Sequence, residues 1–127
     1  MRVAKLALLM LTIPLASLAA TDYLKKDASF IKARAQLIKD KWLPIRMHIN
    51  DNWVYENAEK DLVKHNIFEV DSCSMDTARC ILYYKKDSHC LRLDTVGEKV
   101  KYMKIVQWSD ECPASGQEPS LKDSAPK

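Results

Sequence analysis

The sequence predicts an α+β fold: two helices packed on one face of a mainly antiparallel sheet of four to five strands, in the order α-β-α-β-β-β-β, with two disulfides. Three observations predict it. In DASFIKARAQLIKDK at 27–41, Phe30, Ala33, Ala35, Leu37 and Ile38 recur near the helical period, with lysines and Arg34 between them. From Cys80 onward, short alternating runs separated by polar turns read as a β-meander. All four cysteines, Cys73, Cys80, Cys90 and Cys112, fall in the sheet-rich half.

Residues 1–19 read as an export signal. Arg2 and Lys5 give a positive start, Leu6 to Leu15 is apolar, and Ser17-Leu18-Ala19 places small residues where a signal peptidase reads. The apolar run is shorter than the roughly 20 residues that span a bilayer, so no membrane span is expected after cleavage. Cleavage removes Arg2 and Lys5, which lowers the charge from +3 to +1. A surface so nearly neutral argues against nucleic acid as a partner. Residues 20–113 then form one domain, and the proline-rich segment 114–127 reads as a disordered tail.

Within the domain, Asp27 or Asp22 can start the first helix by accepting free backbone N–H groups. Pro44 stops that helix soon after Trp42, and Trp42 to Arg46 reads as a short edge strand, since proline cannot donate to a ladder. HINDNWV at 48–54 is turn-rich, and Asn50-Asp51-Asn52 with Glu56 reads as a turn leading into a capped second helix. That helix covers about residues 56–65, and Phe68 to Ser72 then alternates as a half-buried strand. The two units repeat: ARAQLIKDKWLPI at 33–45 aligns without gaps on AEKDLVKHNIFEV at 58–70. Strands follow at 80–85 and 90–96, a turn at Gly97-Glu98 where glycine can take positive φ, and a last strand from Val100 to Trp108. In that strand Val100, Tyr102, Val106 and Trp108 are expected on one face, Met103 and Ile105 on the other.

An even cysteine count in an exported chain implies disulfides. The hairpin selects the pairing. Lys85 lies across from Cys90 at the turn end, and Cys80 is five residues away, roughly 16 Å at the usual strand rise. A disulfide needs Cα atoms within about 7 Å, so Cys80 and Cys90 cannot pair. Cys73 meets Cys80 at the open end, and the last strand returns Cys112 to Cys90. The expected bridges are Cys73–Cys80 and Cys90–Cys112.

Catalytic signatures are scarce. The chain has only 2 glycines, and no P-loop, G-x-S-x-G, H-E-x-x-H or dinucleotide fingerprint occurs. The cysteine spacing matches no zinc pattern, and C-x-x-C is absent. His48, His65 and His89 fall in different elements, although a His48–His89 pair stays open. His65 at a helix end is favoured there by the dipole. Asp94 and Glu98 read as solvated charges rather than an acid/base pair. No metal, no cofactor and no catalytic residue is expected.

Contact chemistry is better represented. Trp53 and Tyr55 flank a polar loop with Asp51 and His48 near them, and aromatics dominate interface hot spots. Met75 to Arg79 lies in the small Cys73–Cys80 loop, which is preorganised by its bridge and offers Arg79 as an anchor. Asp51, Trp53, Tyr55 and Arg79 are therefore the expected partner-binding residues. Tyr83, Tyr84, Tyr102 and Trp108 would supply an aromatic sheet face for a sugar or a protein, or serve as core.

The signal-like start, RAQLIKDKWLPI at 34–45, and CLRLDTVGE at 90–98 leading to WSDECP at 108–113 resemble small exported proteins of Gram-negative bacteria. The likeness covers most of residues 30–113 and implies a periplasmic or secreted location. Compact disulfide-bridged proteins of that compartment often act as inhibitors or immunity proteins against lysozymes or toxins. By that analogy of architecture, the expectation here is a non-enzymatic binding protein that occludes another protein. The serine–glycine loop of some periplasmic lysozyme inhibitors is absent, which separates the chain from those families. The alternative expectation is an envelope accessory that binds peptidoglycan, lipid or an outer-membrane assembly, and a small hydrolase comes third.

Overall fold

A computed structural model describes residues 21–114. The expected signal peptide at 1–19, and all of the expected tail but Ala114, lie outside the described residues. The elements run α1 (Phe30–Lys39), β1 (Leu43–Pro44), α2 (Ala58–Lys64), β2 (Val70–Cys73), β3 (Arg79–Lys86), β4 (His89–Val96), a 3-10 turn (Val100–Tyr102) and β5 (Lys104–Ser109). This is the α+β arrangement with an antiparallel five-stranded sheet and two disulfides.

α1 starts later than the periodicity suggests. Asp27 has φ 66°, outside the helical region, and Ser29 is the N-cap, its hydroxyl accepting from the Lys32 N–H. The reason is tertiary. Residues 27–30 lie along the free edge of β5, where Asp27 N–H donates to Ile105 O and Phe30 N–H to Met103 O. That contact covers a sheet edge and delays the helix. Both helices end in the same turn. Lys41 and Asn66 adopt left-handed φ, and Trp42 and Ile67 donate back to Leu37 O and Leu62 O. These pairs are 25 residues apart, the offset of the sequence repeat.

The strands of the two units share one edge of β3, end to end. Leu43 and Pro44 lie against Lys85 and Tyr84, and Val70 to Cys73 lie against Leu82 to Cys80. The chain leaves β3 at Ile45, whose N–H donates to Tyr83 O, and Tyr83 N–H turns instead to Glu69 O. One helix-bearing face of the sheet holds the main core. Phe30, Leu37 and Leu62 pack there against Val70, Leu82, Tyr84, Leu91, Leu93 and Ile105. Ile45, Met47 and Tyr83, with Ile81, form a smaller second cluster.

Three expectations need correction. Val100 to Tyr102 is not strand but a 3-10 turn, because the Asp61 carboxylate of α2 accepts the Val100 N–H at 2.7 Å and winds the chain there. As a result Val100 is buried together with Met103 and Ile105, while Tyr102 and Trp108 are exposed. Glu69 does not face water between Phe68 and Val70: it is 1% exposed, and an irregular register between Val70 and Ser72 breaks the alternation. Asp94 is buried rather than solvated, because the Arg92 guanidinium and the Gln107 amide both donate to it. Gly97 does take positive φ (137°), and a Cβ there would sit 3.0 Å from the Met103 Cα.

Candidate functional site

The loop between β1 and α2 is wound tightly without glycine. His48, Asn50 and Asn57 all have left-handed φ, a conformation that persists only where surrounding contacts hold it. Those contacts converge on His48. Its Nδ1–H donates to Asp51 Oδ2 at 2.8 Å, and its Nε2–H donates to the Asp71 carbonyl of β2. Both partners are acceptors, so each ring nitrogen bonds its partner when it carries a proton. The other Asp51 oxygen accepts the Trp53 N–H at 3.2 Å, closing a turn. Asp51 thus shapes its own loop and does not cap α2, whose N-cap Asn57 makes no side-chain capping bond.

Trp53 is held on two sides. Its ring stacks on His48 with centroids 4.3 Å apart and planes 16° from parallel. Its indole N–H donates to Glu59 Oε1 at 2.9 Å, and Glu59 Oε2 accepts the Cys73 N–H at 2.9 Å. Glu59 is 5% exposed, so a buried carboxylate couples the loop to the start of the disulfide-closed segment. Tyr55 meets the His48 ring edge-on and packs into the main core. Trp53 nevertheless remains 45% exposed. Beside it stand Val54 at 72% and Met75 at 78%, and the three line a groove of about 440 Å³.

The structure therefore brings Asp51, Trp53 and Tyr55 together around His48. Arg79 lies elsewhere. It lines a second groove of about 480 Å³ with Ser74, Thr77, Ile81, Arg92 and Gln107. Ser72 and Cys73 line both grooves, so strand β2 separates them. Glu59 is the residue that sequence reasoning missed. It sits in the first turn of α2, where an acidic residue is ordinary, and nothing local marks it as buried. His48 and His89 are not partners. His89 is exposed at the β3–β4 turn, and His48 binds near the middle of β2. Among the described residues no group of three or more His, Cys, Asp or Glu is placed to hold a metal ion. His65 closes α2 as expected, with its Nδ1–H donating to Asp61 O at 2.7 Å.

The Asp51 carboxyl is held below the usual carboxylate range, first by its hydrogen bond from His48. A depressed folded-state value means that the contribution is present above the unfolded value, about 3.9, and is lost as pH falls through the folded one. The share of Asp51 in holding the Trp53 loop should thus be kept at neutral pH and lost below roughly pH 4. The NMR resonance of the Trp53 indole N–H would report this. In Asp51→Asn the acid transition of that resonance should disappear.

Compared with protein-family models, with curated proteins and with solved structures, the chain shows no match. The fold and the site define it as a two-disulfide α+β protein presenting a locked, half-exposed tryptophan. Its two disulfides are compatible with an extracytoplasmic compartment. Among the described residues no helix is long and apolar enough to cross a membrane.

Proposed function

We propose that this chain is a non-enzymatic periplasmic binding protein that inhibits or neutralises another protein, a toxin or a lysozyme-type hydrolase, by covering it. The observation that carries this reading is the locked Trp53. An aromatic side chain held by a ring stack, a hydrogen bond to a buried carboxylate and a strained loop loses little further freedom on binding. Beside the exposed Val54 and Met75 it forms the kind of apolar centre on which interface energy concentrates. The envelope-accessory reading draws less support. Of the four aromatics expected on its sheet face, Tyr84 is in the core and Tyr83 is packed by Ile45 and Met47, which leaves only Tyr102 and Trp108 exposed.

The test is photo-crosslinking from position 54 of the oxidised protein in envelope extracts, with position 26 as control. One toxin or hydrolase should crosslink at 54 alone, and its activity should fall when this chain is added. Trp53→Ala should weaken that complex by about 30-fold or more. Val54→Ser, at a site that anchors nothing, should weaken it with the fold intact. Crosslinks confined to envelope-assembly components, or an unchanged complex in both variants, would defeat the proposal.

A further inference from the structure

We infer that the groove beside Trp53 receives a lysine or arginine side chain of the protein partner, flanked by apolar residues; this rests on the binding reading above and specifies its chemistry. The charge of the groove is one-sided. Among the described residues its only charged lining residues are Glu56 and Glu59, and no lysine, arginine or histidine lines it. The two segments that build its walls, 48–59 and 71–78, contain Asp51, Glu56, Glu59, Asp71 and Asp76 against the single His48, which is bonded to Asp51, and no lysine or arginine. The whole chain, by contrast, carries an excess of 20 basic over 17 acidic residues. The acidity is therefore local to this groove.

Glu59 sharpens the argument. Both its oxygens accept hydrogen bonds, the pattern of an ionised carboxylate, yet both donors are neutral: the Trp53 indole and the Cys73 amide. No cation pairs with it among the described residues. The other buried carboxylates of this fold differ. Glu69 is paired with Arg34, and Asp94 with Arg92. A nearly buried negative charge without a counterion, at the wall of an open groove, favours a cation supplied from outside. The apolar half of the groove suits the rest of such a side chain. The methylene stem of lysine or arginine can lie along Trp53, Val54 and Met75 while its head reaches Glu56 and Glu59. A neutral or acidic partner segment would leave these carboxylates without compensation.

The probe is the tripeptide amide Ac-Leu-Lys-Leu-NH2, titrated into the oxidised protein while the Trp53 indole resonance is followed. The norleucine peptide Ac-Leu-Nle-Leu-NH2 has the same stem without the charge. At low ionic strength the lysine peptide should bind about 10-fold more tightly, since a charge-assisted contact is added. That advantage should shrink several-fold in about 0.5 M salt, where exposed charges are screened. Glu59→Gln should remove most of it. Because Glu59 also holds Trp53, the exposed variant Glu56→Gln serves as a second test and should reduce the preference with the fold untouched. Equal affinities for the two peptides overturn the inference, as does an indole resonance that moves for neither at the solubility limit. The binding proposal fails separately. A toxin or hydrolase captured at position 54 whose complex is indifferent to salt and to Glu56→Gln would sustain that proposal and refute this inference.

Discussion

Glu69→Ala is expected to cost about 3–5 kcal/mol of folding stability, the cost of breaking a buried pair from one side. Glu69 sits between α1 and the sheet. Arg34 of the helix donates to it through Nε and the terminal Nη2, and the Tyr84 hydroxyl donates to Oε1 at 2.9 Å. Burial by itself disfavours the Arg34 charge, but the hydrogen-bonded Glu69 carboxylate outweighs that, so the guanidinium holds its proton more firmly than usual. Burial, and then the Glu69 charge, push the Tyr84 hydroxyl well above its ordinary range. Removing the carboxylate leaves a guanidinium half inside the core and a fully buried hydroxyl without an acceptor. Urea denaturation of Glu69→Ala should show a lower midpoint at an unchanged slope. The triple replacement Arg34→Met, Glu69→Leu, Tyr84→Phe should recover most of the loss, because an apolar trio fills the same space without desolvating charge. If the single variant were as stable as the parent protein, this network would not be a structural determinant.

Removing the Cys90–Cys112 bridge by double serine substitution is expected to cost about 3 kcal/mol, from the loop-closure entropy of a bridge spanning this sequence separation. The bridge closes 22 residues and ties the segment after β5 back to β4. Glu111 of that segment also accepts from Arg92 at 3.1 Å, so the loss would extend to the Arg92–Asp94–Gln107 network. For a domain of this size, calorimetry should show a fall in melting temperature of about 10–20 °C. The Cys73–Cys80 bridge closes only 7 residues, and its removal should cost less stability, about 2.5 kcal/mol. Its effect on binding should be the larger one. Cys73 N–H holds Glu59, and Glu59 holds Trp53, so freeing Cys73 loosens the groove wall. The opposite ranking in either measurement would contradict this division of roles.

Much of the framework was legible because it depends on local periodicity and chain geometry. α1 and α2 follow from apolar residues at the helical period, and β3 and β4 from alternation bounded by turns. The disulfide pairing followed from one consequence of hairpin register. Lys85 does lie across from Cys90, and Cys73 does lie across from Cys80. The repeat at 33–45 and 58–70 also has a counterpart in space, since both helices close with the same left-handed turn. Around the candidate site, the sequence placed Asp51, Trp53 and Tyr55 in one loop, and the structure packs them about His48.

The rest was settled by contacts between residues far apart in the chain. Glu59 looks like any acid in a first helical turn until Trp53 and the Cys73 amide meet it. Glu69 looks like the polar half of an alternating strand until Arg34, 35 residues earlier, is brought over it. Val100 to Tyr102 continues a strand pattern until Asp61 captures the Val100 N–H. Arg79 is near the disulfide loop in sequence, yet strand β2 stands between it and Trp53. By itself, then, the sequence determined that two helices and the β3–β4 hairpin form and which cysteines pair, since these follow from spacing along one chain. Only the tertiary structure decided which charges are buried and which loops share a surface. A charge is buried where a partner from another element compensates it, and that partner is identified by the packing.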